Sequence, residues 1–316
     1  MPFLEVNELF KEKREEFHLE LVTGGGGLTR RITVPDINRP GLAFTGYFEH
    51  FPYERTQVIG IGEYNYLSGL SYDKQVEVLH KLFSHETATC CILTRGLEPS
   101  EAMIKVFGEL EVPLFKTILN SSSFISELIF YLDGRLAPSI KIHGVLTNVY
   151  GLGVLIMGKA GIGKSECALE LVKRGHMLVA DDVVNIKRMS GNFLEGSGLE
   201  ITKHLVEVRG LGIIDVKDLF GIGNILNESN IELVIKLEEW EKVQKYERVG
   251  IEEYFTEFLG IKIPAVTIPV GPGRNLAVLV ETASLNQRLK NKGRFTAREL
   301  NDKLKQVMAE QKQNDK

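Results

Sequence analysis

The sequence has little cysteine, no excess of positive charge and no long apolar run, and each shortage removes a class of protein. Three cysteines, Cys90, Cys91 and Cys167, are too few for a disulfide framework, and no Cys/His cluster has the spacing of a zinc site. Cys90 and Cys91 lie in the apolar run 89–93 and read as small core hydrophobes. Lys plus Arg number 38 against 42 Asp plus Glu, giving a net charge of −4. No global field therefore draws in nucleic acid or an anionic membrane, and a macromolecular partner must be recognised locally. No stretch approaches the ~18 apolar residues of a membrane span. Residues 1–10 alternate apolar and acidic side chains, with no basic stretch leading into an apolar one. A cytoplasmic protein without a membrane or nucleic-acid partner is expected. No repeat of 20–50 residues is visible.

What is present is an ordinary globular composition, 43% hydrophobic and 25% charged over 316 residues. That length predicts two domains, placed at 1–132 and 133–316. The first is expected to be a small α/β module without catalytic residues. Helical spacing marks 6–17, 76–83, 99–107 and 122–132. Strands are expected at 32–36, 56–62 and 90–94. The four glycines at 24–27 read as a flexible turn, because no Gly-x-Gly-x-x-Gly pattern opens a helix there. Residues 133–138 read as a polar turn before a new strand. Near the end, 276–280 reads as a further strand and 284–316 as a basic helical tail.

The chemistry concentrates after residue 138. Gly158-Lys159-Ala160-Gly161-Ile162-Gly163-Lys164-Ser165 matches G-x-x-x-x-G-K-[ST] at every fixed position. The apolar run 154–157 precedes it, as a buried parallel strand requires. Residues 166–174 follow with helical spacing, Glu166 in the first turn, Lys173 and Arg174 in the last, and Gly175 at the end. Glycines let backbone amides curl around an anion, and the helix N-terminus adds partial positive charge. Lys164 would reach the β- and γ-phosphates of ATP, and the Ser165 hydroxyl would ligate Mg²⁺.

The next strand, 177–180, ends in Asp181-Asp182 and is expected beside the P-loop strand, where a metal-supporting carboxylate belongs. Two adjacent carboxylates point in different directions, so one could serve the metal while the other faces an incoming hydroxyl as base. The stretch 207–215 (EVRGLGIID) reads alone as a loop leading into a strand. The stretch 269–274 (PVGPGR) could close over phosphates or simply turn.

These motifs in this order resemble the bacterial HPr kinase/phosphorylase family, and 39–48 (RPGLAFTGYF) resembles that family's N-terminal domain. The resemblance implies an α/β fold whose kinase core is similar to phosphoenolpyruvate carboxykinase. It also implies Mg²⁺-dependent phosphorylation of a serine of the phosphocarrier HPr by ATP (or pyrophosphate). The reverse reaction would be attack of inorganic phosphate on phosphoseryl-HPr, releasing pyrophosphate. A homohexamer, control by a glycolytic sugar bisphosphate and a role in carbon catabolite repression and sugar uptake are further implications.

By motif position, Asp182 would be the base, and the acid in reverse. Lys164 would hold the transferred phosphate, Ser165 and Glu207 would ligate Mg²⁺, and Asp181 would support that site. His143 and Arg248 match further active-site positions. Val206, Glu207, Arg209, Gly210, Gly212 and Asp215 would serve both directions, whereas Pro269, Gly271, Gly273 and Arg274 would matter chiefly for dephosphorylation. A small-molecule kinase and a non-catalytic nucleotide switch are the competing readings. The lack of an Asn-Lys-x-Asp motif argues against a guanine-specific switch, and the retained Asp pair argues against a dead binding module.

Overall fold

A computed structural model describes residues 2–240 and 252–314. The chain divides into two units, Met1–Pro138 and Ser139–Lys316. In the first, the helices of eight residues or more are α1 (Val6–Lys13), α2 (Ile61–Ser68), α3 (Tyr72–Phe83), α4 (Glu101–Glu109) and α5 (Ser121–Leu136). They accompany a sheet of β1 (Glu20–Thr23), β2 (Ile37–Asn38), β3 (Thr56–Ile59), β4 (Cys91–Leu93) and β5 (Leu114–Lys116). The order is β1-β5-β4-β3-β2, parallel except for β1.

Side chains alternate across the central strands, so both faces of this sheet are core. Val58, Ile92 and Phe115 join one apolar cluster, and Ile59, Leu93 and Leu114 the other. Adjacent Cys90 and Cys91 fall in opposite clusters, each fully buried. Burial pushes the Cys90 and Cys167 thiols up to about 12, and Cys91 well above its usual range. At pH 8 such a thiol is thiolate in on the order of one molecule in ten thousand. The native protein should therefore leave all three thiols unreacted toward a disulfide reagent at pH 8, with three titrating after denaturation. A thiol that reacts rapidly in the folded state would refute this.

Three expectations fail in this unit for local reasons. The strand expected at 56–62 stops at Ile59, because Gly60 caps the helix that begins at Ile61. Residues 32–36 do not form one strand; Pro35 removes a donor, and pairing is confined to Arg31–Ile32 and β2. The glycine turn at 24–27 is not loose. A Cβ on Gly24 would lie 2.0 Å from the Val112 carbonyl oxygen, and one on Gly27 1.9 Å from that of Glu111. Close backbone approach, together with φ +74° at Gly24, is what requires glycine there.

The second unit opens without a polar turn at 133–138, since α5 runs through to Leu136. Its strands are β6 (Ser139–His143), β7 (Val145–Val149), β8 (Leu152–Gly158), β9 (Met177–Ala180), β10 (Val183–Met189) and β11 (Phe193–Ser197). These are followed by β12 (Leu205–Val208), β13 (Gly212–Asp215), β14 (Glu228–Asn230), β15 (Leu233–Glu239), β16 (Tyr254–Phe258) and β17 (Ile261–Val270). Helix α6 (Lys164–Lys173) follows the P-loop, and α7 (Leu276–Asn291) and α8 (Thr296–Asn314) end the unit. The main sheet has the order β9-β7-β8-β15-β17-β16. A second sheet, β14-β11-β10-β6, carries the chain on from β9, and β12 and β13 form a separate hairpin.

The acid-bearing strand β9 is therefore not beside the P-loop strand. Tyr150 and Gly151, both at positive φ, make a two-residue hairpin turn that lays β7 antiparallel against β8. That takes the place on the β9 side, and β9 pairs with β7 instead. On its other side β8 runs parallel to β15, which runs parallel to β17.

The strand expected at 276–280 is instead the start of α7. The Asn275 side chain accepts a hydrogen bond from the Val278 N–H at 3.1 Å, and buried Ala277, Val280, Ser284 and Gln287 recur at helical spacing. Asn275 was the signal to read there.

Candidate active site

Strand β8 ends at Gly158, and the loop that follows turns through Gly161 (φ +78°) and Gly163 (φ +100°) into α6. Only glycine adopts these values without strain, and they let the loop lead into α6 with the helix N-terminus turned towards an anion. Lys164 folds back over the loop, its Nζ donating to the carbonyls of Gly158 and Lys159 at 3.0 Å each. The Arg209 guanidinium lies against Gly161, where a Cβ would come within 2.8 Å of Nη1.

Ser165 Oγ donates to both oxygens of Asp181, at 2.9 and 3.0 Å, and the Glu207 main-chain N–H donates to Oδ2 at 3.2 Å. Asp181 is only 6% exposed. Burial pushes its carboxyl up from the usual carboxylate range, against the lowering effect of the Ser165 hydroxyl and the Glu207 amide. A carboxylate in so dry a place favours a nearby positive charge.

Asp182 has φ +66°, and this left-handed residue turns the chain from β9 into β10, away from the main sheet. Its carbonyl accepts from the Gly144 N–H at 3.0 Å. The two carboxylates therefore diverge. Asp181 faces Ser165, while the exposed Asp182 carboxyl stands 3.5 Å from His143 Nδ1 at the end of β6. Both partners of that pair are largely in water, so it holds little ion-pair energy and leaves Asp182 available to a third group.

A cleft of about 510 Å³ brings His143, Lys164, Ser165, Asp181, Asp182 and Glu207 together with the P-loop and Arg209. The hairpin β12–β13 supplies Glu207 on its outward face, paired across the hairpin with Ile213, while Val206 points into the core with Ile214. Gly210 and Gly212, at φ +88° and +91°, shape its tip.

Other expected residues lie elsewhere. Asp215 accepts from the Asp218 N–H at 3.1 Å and caps the short helix Val216–Phe220. Pro269 lies in β17 and Gly271, Gly273 and Arg274 follow it, none of them in the cleft wall; Arg274 donates to the Pro269 carbonyl at 2.9 Å and stacks 5.3 Å from the Trp240 ring centroid. Arg248 lies outside the described residues. Gly144 was missed. A Cβ there would be 2.9 Å from the Ile156 carbonyl oxygen, and a glycine directly after His143 was the available signal.

Among the described residues no three His, Cys, Asp or Glu side chains gather as an all-protein metal cage. Mg²⁺ does not need one. It takes one or two carboxylates and completes its shell with waters and substrate phosphates. The hydroxyl and carboxylate oxygens of Ser165, Asp181 and Glu207 are the hard donors it prefers, so the residues fit. Among the described residues no helix is long and apolar enough to cross a membrane.

A parallel strand, a glycine loop on a helix N-terminus, a lysine at the end of that loop and a serine hydrogen-bonded to a buried aspartate define a P-loop phosphotransferase of the α/β class. Family comparisons narrow this. The HPr serine kinase N-terminal family matches residues 4–132, and the HPr serine kinase C-terminal domain matches 134–304. The chain belongs to the HPr kinase/phosphorylase family. It is 47% identical over 290 residues to the HPr kinase/phosphorylase of Thermoanaerobacter sp. (strain X514), covering 92% of this chain and 95% of that one. The Leptospira biflexa protein of the same name is 45% identical over 306 residues, 96% and 94% of the two chains. A solved HPr(Ser) kinase/phosphatase from Coxiella burnetii covers 49% of this chain and 93% of its own, at 39% identity and a TM-score of 0.47.

Proposed function

We propose that the chain transfers the γ-phosphate of ATP to a serine hydroxyl of HPr and, in reverse, lets inorganic phosphate attack phosphoseryl-HPr to release pyrophosphate. The divergence of Asp181 and Asp182 carries this reading. One carboxylate is spent on Ser165, and the other stands at the cleft mouth where a hydroxyl can reach it. Relatives named for this activity support the same reading.

In the forward direction the P-loop amides and Lys164 hold the phosphate chain. Ser165 and Glu207, with Asp181 behind them, would hold Mg²⁺, which would supply charge neutralisation on the phosphate oxygens when bound. Asp182 takes the serine proton as the hydroxyl attacks in line, and His143 steadies the Asp182 carboxylate. In reverse, Asp182 returns that proton to the departing serine oxygen. Arg209, resting on Gly161, adds positive charge where the transferred group passes. Arg248 is assigned an active-site place on family membership alone, as are the Pro269–Arg274 role in dephosphorylation, a homohexamer, cytoplasmic location and control of catabolite repression.

A protein acceptor is favoured over a small one by the cleft rim. Leu211 and Ile213, on the hairpin that carries Glu207, are 75% and 73% exposed, an apolar surface suited to a docking protein. The test is transfer of labelled γ-phosphate from ATP–Mg²⁺ to purified HPr, followed by excess inorganic phosphate and a pyrophosphate assay. Label on an HPr serine, then its loss with pyrophosphate release, is expected. Label reaching only water or a small metabolite would sink the reading.

A further inference from the structure

The phosphate cleft gathers the ionisable groups His143, Lys164, Asp181, Asp182, Glu207 and Arg209, which suit phosphates, a metal and the acceptor hydroxyl better than a nucleobase. The P-loop backbone has a second side. There, a separate cavity of about 420 Å³ opens between the end of β8, the loop and the carboxyl end of β15. Its volume lies within the ~300–1,000 Å³ of small-molecule sites. Met157, Ile162 and Leu237 give it apolar surface, and Lys236, Glu238 and Glu239 bring polar groups to it. Gly158 borders both cavities, so only the phosphate-binding loop separates them.

We propose that this cavity holds the base of the nucleotide, an inference that rests on the ATP-dependent activity above. Three observations converge. In parallel α/β sheets, ligands lie outside the carboxyl ends of the strands, and β15 is the parallel neighbour of the P-loop strand. Asp181 and Asp182 lie on the β7–β9 side of β8, so the transferred phosphate points that way and the base must trail to the β15 side. The cavity there combines the apolar side chains of Met157, Ile162 and Leu237, against which a ring can pack, with the carboxylates of Glu238 and Glu239 as acceptors for an exocyclic amine. Trp240, the only tryptophan, directly follows the lining residue Glu239 and gives a fluorescent reporter beside the site.

Inorganic pyrophosphate has phosphates but no base, which separates a base site from a phosphate site. Filling the cavity with Met157→Trp, or the milder Met157→Phe, should raise KM for ATP at least tenfold. Pyrophosphate-driven phosphorylation of HPr and phosphorolysis should stay within about twofold, which also shows that the variant is folded. In the unaltered protein, adenosine should compete with ATP and leave the pyrophosphate reaction untouched. Equal losses with both donors, no change with either, or no competition by adenosine at its solubility limit would overturn the proposal. If no donor phosphorylates HPr, the functional reading fails instead, and competition of adenosine against ATP binding, read by Trp240 fluorescence, still decides the base site.

Discussion

An Asp182→Asn protein should bind ATP–Mg²⁺ within about twofold of the unaltered protein and transfer phosphate to HPr roughly 10²–10⁴-fold more slowly, the span expected for loss of a general base. Asparagine is the right replacement because of the backbone. Asp182 sits at φ +66°, a conformation that Asn tolerates as well as Asp but that strains most other side chains. An alanine there would mix lost chemistry with lost geometry at the bend between β9 and β10. Among the described residues the exposed Asp182 carboxyl pairs with His143, at 3.5 Å and largely in water, so the amide should cost little stability.

Reversibility sharpens the test. The overall equilibrium between HPr with pyrophosphate and phosphoseryl-HPr with phosphate does not depend on the enzyme. An enzyme that loses its base forward must lose its acid in reverse, so phosphorolysis should fall by a similar factor. His143→Gln, which removes only a neighbour of the carboxylate, should give a smaller loss. Kinase activity within tenfold of normal in Asp182→Asn would remove Asp182 from the base role. A fall in ATP-driven phosphorylation with phosphorolysis unchanged would mean that the residue orients the nucleotide reaction without moving the serine proton.

The P-loop and its frame were legible because their physics is local: an apolar run, glycines at fixed positions and a helix that begins in the loop. That the two Asp carboxylates diverge was also legible, since adjacent side chains leave the chain in different directions, but the left-handed turn at Asp182 that sets their directions was not. What the sequence hid was non-local. Nothing in residues 177–182 says that β7 will lie between them and the P-loop strand; that follows from the tight turn at Tyr150-Gly151, twenty-six residues and more upstream. Likewise, residues 276–280 have an apolar run that suits strand or helix, and only the cap at Asn275 decides. Glu207 was placed by family resemblance, because a residue on a separate hairpin reaches Asp181 through a main-chain hydrogen bond that no spacing rule foretells. The cavity beside β15 was invisible for the same reason: Met157, Ile162 and Leu237 are ordinary apolar residues until two parallel strands and a loop bring them together.

Replacing Lys164 should be nearly as damaging as replacing Asp182, but with a different signature. Its ammonium rests on the carbonyls of Gly158 and Lys159 at 3.0 Å, which occupies two of its three donors. A phosphate entering the loop offers a stronger, charged acceptor close to the same position, so the side chain can exchange partners without moving its stem far. Lys164→Met keeps the length and apolar stem while removing the charge. Loss of one preorganised charge from a phosphoryl-transfer site costs roughly 10²–10³-fold in rate. Both kinase and phosphorylase directions should fall by that much, because the same transferred group passes the same ammonium. Unlike Asp182→Asn, this variant should also bind ATP about tenfold more weakly, since the charge holds the ground-state phosphates too. Lys164→Arg should not rescue it: a planar guanidinium is larger and forked, and the tight glycine loop is shaped around a point charge. The melting temperature of both variants should stay within about 3 °C, because no core side chain is altered. Rescue by arginine to within tenfold would show that Lys164 acts only through net charge, and unchanged ATP affinity would place it off the phosphate chain in the ground state.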